Sequence, residues 1–304
     1  MSGLLVVLDP DLEASQPALE KAARLAGDDP VSVFVNVRST SLEKRLTQGV
    51  DALQQARQKI SETWRNHIRE LAEHSGIQLA DPRIVWSGDS FNELMHTIEE
   101  WQPSMVVVHA HYEPRLKRLL FTPLEWKLIR NATCPLLFAG NQHWSNHPPV
   151  VAAVDPDPFE ETPDALTRSI VEHGRNWSTR LGGNLTVVHA LDYPDETLVM
   201  LAGEAIPASV DVAESQRELY EQRLDAIRES EELDPDQIQF LDGAPARALA
   251  DYMASLSPGL LVMGTVQKNS VERLLLGNTA EHILFQSASD VLVLHNPESS
   301  GAAG

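Results

Sequence analysis

The sequence predicts an α/β protein made of two tandem domains, each an open, mostly parallel five-stranded sheet with helices on both faces. Two observations carry this expectation. Continuous apolar runs of strand length alternate with helical segments along the chain, the pattern of a parallel sheet covered on both faces. The chain also repeats itself: shifted by 155 positions, residues 80–137 fall on 235–292 without a gap. Asp81 then meets Asp236, Gly88 meets Gly243, Pro103 meets Pro258 and Val107 meets Val262, while Arg118-Leu119-Leu120 meets Arg273-Leu274-Leu275. A period this long marks duplicated domains and not a solenoid. It agrees with the two domains that a length of 304 residues suggests.

The elements follow in order. In the first half, strands are expected at Leu4–Leu8, Val31–Val37, near Arg83–Trp86, at Met105–His109 and at Leu136–Ala139. Helices are expected at Glu13–Leu25, over the long polar stretch Leu42–Ser75, near Asn92–Glu100 and near Leu124–Asn131. The second half repeats the plan, with strands at Val150–Val154, Leu185–Ala190, Gln237–Leu241, Leu260–Met263 and Val291–Leu294. Its helices are Thr162–Leu181, Val210–Glu231, Pro245–Ser255 and Thr279–Gln286. The domains therefore span 1–141 and 150–298, joined by the linker 142–149 with its Pro148-Pro149 pair, and 299–304 is a small, polar tail. An irregular insertion, Asp192–Pro207, reads as a lid or an interface loop.

Composition narrows the function classes. A net charge of −20 disfavours nucleic acid and anionic membrane surfaces, whose phosphates it would repel. No apolar run approaches the ~18 residues of a membrane span, and the start of the chain lacks the features of a signal peptide. The lone Cys134 excludes an intramolecular disulfide framework and fits the cytoplasm. Lysine is scarce, six against eighteen arginines, so the acidic balance suggests a high-salt cytoplasm; an ordinary acidic soluble protein is the other reading.

The most informative stretch runs from Met263 to Glu281. The apolar run Leu260–Met263 stops at Gly264, a polar loop follows, and Gly277 opens a segment with Asn278 and Thr279 at a helix start and Glu281 in its first turn. Strand, glycine turn and glycine-led helix N-terminus describe a phosphate cradle of backbone N–H groups. The earlier copy has lost these features: His109 stands at the place of Gly264, Thr122 at that of Gly277 and Pro123 at that of Asn278. One phosphate site is expected, in the second domain.

Other residues admit two readings. Asp155 follows the strand Val150–Val154, as Asp9 follows Leu4–Leu8. It is either a turn residue ahead of a helix or a carboxylate that accepts hydrogen bonds from a ribose or a base. Lys268, the only lysine in 128–304, is either a solvated loop residue or a phosphate contact. His109 and His111 would need further ligands to hold a metal, and His109 with Trp126 more simply fills the space of a missing nucleotide. Cys134 reads as structural, with no partners to make it a nucleophile.

Taken together, Gly264, Gln267, Gly277 and Asn278 resemble the nucleotide motif of the universal stress protein family: Gly, two residues, Gly, nine residues, Gly, then Ser, Thr or Asn. The run from Leu276 to Glu281 looks like the second domain of tandem E-type members, and Phe121–Trp126 looks like their degenerate first domain. The resemblance covers essentially the whole chain. It implies an adenine-nucleotide-binding α/β fold with ATP, or ADP or AMP, held in the second domain. By that likeness Asp155 meets the ribose or adenine, and Ala190 meets the adenine through its backbone. Met263, Gly264, Gly277, Asn278 and Thr279 hold the ribose and phosphates. Gln267 departs from the motif: if the position needs positive φ, Gln costs about 1–2 kcal/mol there, and its neighbour Lys268 compensates in part. The expectation is a cytoplasmic nucleotide-binding stress-response protein without efficient catalysis, its two domains packed as a pseudo-dimer, with a homodimer as a further possibility. A slow ATP hydrolase and a protein-interaction module that has lost its nucleotide are the alternatives.

Overall fold

The computed structural model describes residues 3–45, 50–80, 82–113, 118–120, 123–157, 159–160, 162–191, 212–265 and 289–295. The Cα positions divide the chain into two compact units, Met1–His111 with Leu120–Asn141, and Tyr112–Leu119 with Gln142–Gly304.

In the first unit the elements are β1 (Leu4–Val7), α1 (Pro17–Ala26), β2 (Val31–Asn36), α2 (Thr40–Arg45), α3 (Val50–Ser75), β3 (Arg83–Val85), α4 (Ser90–Trp101), β4 (Met105–His109), α5 (Pro123–Asn131) and β7 (Leu136–Ala139). Two short strands, β5 (His111–Glu113) and β6 (Arg118–Leu120), pair with each other as a separate ribbon that the sequence reading did not contain. The strand order is β7-β4-β1-β2-β3, with β1 and β2, β1 and β4, β2 and β3, and β4 and β7 all paired parallel. All four residues of β1 are buried. Because successive side chains point to opposite faces of a sheet, both of its faces must be covered.

The second unit repeats the arrangement with β8 (Val150–Ala153), α6 (Ala165–Leu181), β9 (Leu185–Leu191), α7 (Val212–Ser230), β10 (Ile238–Asp242), α8 (Pro245–Ser255), β11 (Leu260–Thr265) and β12 (Asp290–His295). Its order is β10-β9-β8-β11-β12, again with parallel pairs. Helix α6 packs on β8, β9, β11 and β12, and α8 on β9 and β10. No described helix is long and apolar enough to cross a membrane.

Helix starts differ from the expected ones for local reasons. Helix α1 begins at Pro17 and not at Glu13, because proline takes the first helical position. The preceding residues are held in turns, with the Asp11 carboxylate accepting from the Glu13 N–H at 3.0 Å. Helix α6 begins after Asp164, whose carboxylate accepts from the Thr167 N–H as an N-cap. It ends on Gly182, at φ 65°, the left-handed conformation that glycine adopts without strain. The stretch Leu42–Ser75 contains two helices and not one. The expected insertion Asp192–Pro207, the helix Thr279–Gln286 and the tail lie outside the described residues.

Candidate functional site

The second unit has its topological switch point between β8 and β11. The chain leaves β8 toward β9 on one side, while β11 and then β12 lie on the other. In open α/β sheets the crevice at the carboxyl ends of two such strands receives the ligand. The register places the residues at that edge. Met263 stands opposite Ala153, and Ala153 opposite Val188. The next level therefore holds Gly264, Val154 and His189, and the level beyond it Thr265, Asp155 and Ala190. Four of the expected site residues, Asp155, Ala190, Met263 and Gly264, thus come to one edge of one sheet. Gln267, Lys268, Gly277, Asn278 and Thr279 lie outside the described residues.

The surroundings of Gly264 change the reason for that glycine. Strand β11 does not stop at Met263: Gly264 and Thr265 continue it, paired with Leu294 and His295 of β12. Thr265 is buried, and its hydroxyl donates to the Leu294 carbonyl at 3.3 Å. A Cβ built on Gly264 would lie 2.7–2.9 Å from the Leu166 side chain. The glycine therefore gives helix α6 clearance over the strand end, and it makes no turn there. Met263 and Ala190 are both buried, so what they offer a ligand at this edge is backbone.

Asp155 is the exposed member of the group. Its side chain is 85% accessible, and its described neighbour of opposite character is His189, with Nδ1 3.9 Å from Oδ1. The His189 ring itself is buried. Its Nδ1 lies 3.1 Å from the Val154 carbonyl oxygen, which fixes Nδ1 as the protonated nitrogen and donor. The ring stacks on Tyr220 at 4.5 Å and 24° and meets Phe240 edge-on at 6.3 Å. Burial pushes the imidazole pKa below its ordinary value, while the Val154 carbonyl and Asp155 oppose that shift. The Tyr220 phenol is raised, first by burial and then by the negative charges of Asp155 and Asp157. Sequence reasoning missed His189 and Tyr220. A histidine next to Ala190 inside an apolar strand was the available signal for the first. Nothing in the sequence shows which face of α7 turns Tyr220 toward the sheet.

The first unit builds the same edge differently. By register, Leu8 corresponds to Val154, Asp9 to Asp155 and Val35 to His189. The Gln16 side-chain amide accepts from the Asp9 N–H at 3.0 Å and donates to the Asp9 carbonyl at 3.1 Å. The Asp9 carboxylate accepts from the Asp11 N–H at 2.9 Å. Half-buried His109 stands where the second unit has Gly264.

Several other groups lie apart from this edge. In the first unit the Glu43 carboxylate accepts from the Arg38, Arg57 and Trp86 side chains, which hold it below the usual carboxylate range, Arg38 contributing most. This arrangement ties the ends of β2 and β3 to α2 and α3. In the second unit a cleft beside the loop after β8 is lined by Asp157, Glu160, Asp164 and Arg223, an acidic set that disfavours phosphate. Burial pushes the Cys134 thiol up to about 11, which leaves no thiolate at neutral pH. Among the described residues no three His, Cys, Asp or Glu side chains gather as a metal site.

An exposed carboxylate, buried small residues offering backbone, and a parallel-sheet switch point can together hold a ligand bearing hydroxyls close to an apolar ring. Comparison with known proteins agrees with this architecture. The universal stress protein family profile matches residues 2–139 and again 148–295. Universal stress protein E homolog of Haemophilus influenzae is 25% identical over 307 residues, covering 95% of this chain and 96% of that protein. Universal stress protein E of Escherichia coli K12 is 25% identical, over 96% of this chain and 93% of its own length. The crystal structure of a universal stress protein from Archaeoglobus fulgidus shares the fold, with a TM-score of 0.64, 14% identity, and 97% and 99% of the two chains covered. Two family domains in one chain, with full-length similarity to E-type proteins, show that the chain belongs to the universal stress protein family as a tandem, E-type member.

Proposed function

We propose that this stress-response protein binds ATP, or the corresponding ADP or AMP, at the carboxyl edge of its second unit and acts as a binding protein in the cytoplasm. The observation that carries the reading is the exposed Asp155 carboxylate at the switch point, level with Ala190 and one step beyond Gly264. A carboxylate there can accept both hydroxyls of a ribose. The backbone at Ala190 suits the edge of an adenine. Gly264, Gly277, Asn278 and Thr279 supply the motif that would hold the phosphates through backbone N–H groups, with Lys268 as a neighbouring cation. In the first unit the matching carboxylate is engaged by its own loop, and His109, Thr122 and Pro123 replace the motif residues.

The test uses the full chain. Nucleotide released from the purified protein is identified by mass spectrometry, and ATP is titrated by calorimetry. The expected result is one site per chain, weakened at least about tenfold by Asp155→Ala, a loss of about 1.4 kcal/mol or more, and unchanged by Asp9→Ala. Absence of any binding would favour the interaction-module reading. Phosphate release during incubation would favour the slow hydrolase.

A further inference from the structure

We infer that His189 is the positioning residue that aims Asp155 at its ligand, and that proton uptake by its imidazole weakens ligand binding. This rests on the reading that the ligand is an adenine nucleotide at the second unit's edge.

The geometry is specific to one peptide group. The carbonyl of Val154 and the N–H of Asp155 belong to the same planar unit. His189 Nδ1 donates to that carbonyl at 3.1 Å, while the Val154 N–H donates to the Val188 carbonyl at 2.9 Å. Strand β9 thus holds Val154, the residue before Asp155, at both its N–H and its carbonyl, once through backbone and once through a side chain. The first unit places Val35 at the same register and fixes its aspartate through Gln16 instead. Among the described residues, only the second unit ties the backbone before its aspartate to a ring that titrates.

The buried ring has one form that fits. With Nδ1 protonated and donating, the neutral imidazole leaves a lone pair on Nε2. That atom is buried and has no hydrogen-bond partner among the described residues. A proton added at Nε2 would create a buried donor without an acceptor and a charge stacked on Tyr220. The closest described counter-charge is Asp155, 3.9 Å away. Asp157 acts with Asp155 on the Tyr220 phenol, which both carboxylates raise. Arg217, whose guanidinium lies 5.7 Å from the Phe240 ring centroid, opposes it, although Arg217 is itself paired with Glu221 and Asp242. An imidazolium therefore draws the Asp155 carboxylate inward, away from ligand hydroxyls. The ligand prefers the neutral ring, so linkage makes affinity fall as pH drops, by at most about tenfold per pH unit for one proton.

The experiment titrates ATP into the full-length wild type, His189→Asn and His189→Val at pH 7.5 and at pH 5.0. Asparagine keeps a donor near the place of Nδ1 and cannot titrate; valine is the residue of the first unit. Titration of ATP's own phosphates is common to all three proteins and cancels in their ratios. The wild type should lose about three- to tenfold more affinity than His189→Asn between the two pH values. At pH 7.5 His189→Asn should bind within about twofold of wild type and His189→Val at least tenfold more weakly, with native circular dichroism in both. Equal pH slopes in wild type and His189→Asn, or wild-type affinity in His189→Val, would overturn the inference. If no protein binds ATP at pH 7.5, the nucleotide reading fails by itself. The positioning role is then read by NMR, where the Asp155 amide shift should follow the His189 titration in the wild type; an Asp155 amide indifferent to that titration would overturn it.

Discussion

Asp9 and Asp155 stand at the same point of two copies of one fold. Each follows the central strand of its unit, and each opens an Asp-Pro-Asp sequence, 9–11 and 155–157. Their carboxylates nevertheless differ in availability. Asp9 closes a turn on the Asp11 N–H while Gln16 grips its backbone. Asp155 is 85% accessible, its peptide held from beside the loop by His189. The shared motif therefore does not decide which copy offers a carboxylate. The described contacts that differ lie outside it: Gln16 where the second copy has Thr162, and Val35 against His189.

The comparison can be broken most severely at the phosphate motif. On the proposed reading Gly277→Val should abolish ATP binding, by more than about a hundredfold, since a branched side chain in the motif would compete with phosphates for approach to backbone N–H groups. Calorimetry with circular dichroism checks it, and unchanged affinity in a native fold would make the loop structural. Next comes Gly264→Val, which brings side-chain atoms against Leu166. Overpacking of this kind costs about 1–3 kcal/mol, seen as a lower midpoint in urea, and the loss should fall when Leu166→Ala is added.

Gln16→Ala sharpens the contrast from the other side. It removes both hydrogen bonds to the Asp9 backbone, and loss of buried partners costs about 1–3 kcal/mol. ATP affinity should not change, because the first unit's aspartate serves its own loop. Reduced ATP affinity in Gln16→Ala would show that the two edges do not work separately.

The His189 ring predicts a pH dependence of stability. Its folded-state pKa is depressed, chiefly by burial. The unfolded chain therefore binds the proton more readily, and stability is full above the ordinary histidine value of about 6.5. It is lost as pH falls from there toward the depressed value. His189→Asn should flatten this segment of the curve of melting temperature against pH. The smallest effect expected is that of salt. With net charge −20, self-repulsion should be relieved as the Debye length shortens from about 8 Å at 0.15 M to about 3 Å at 1 M. The melting temperature should then be higher in about 1 M than in about 0.05 M NaCl, and a flat or falling trend would end the high-salt reading of the composition.

Much of the fold was legible because its signals are local. Apolar runs such as Leu260–Met263, the 155-residue repeat and the spacing of Gly264 from Gly277 are all visible in one dimension. What was not legible depends on contacts between distant residues. The continuation of β11 through Gly264 needs β12 as a partner, and the need for a glycine there comes from Leu166 on another element. Tyr220 reaches His189 across thirty-one positions of sequence. Helix starts slipped for a smaller reason: a proline four residues on, or an Asp cap two residues on, outcompeted the apolar period.

The strand order has a consequence for how such proteins change. In the order β10-β9-β8-β11-β12 a crevice forms at the carboxyl edge by connectivity alone, before any side chain is chosen. Duplicating the gene duplicates the crevice with the fold. A copy can then differ from its twin at a few rim residues, such as those at 16, 35 and 109, and its core has no reason to follow. A crevice set by connectivity should accordingly persist in the scaffold whatever becomes of its rim.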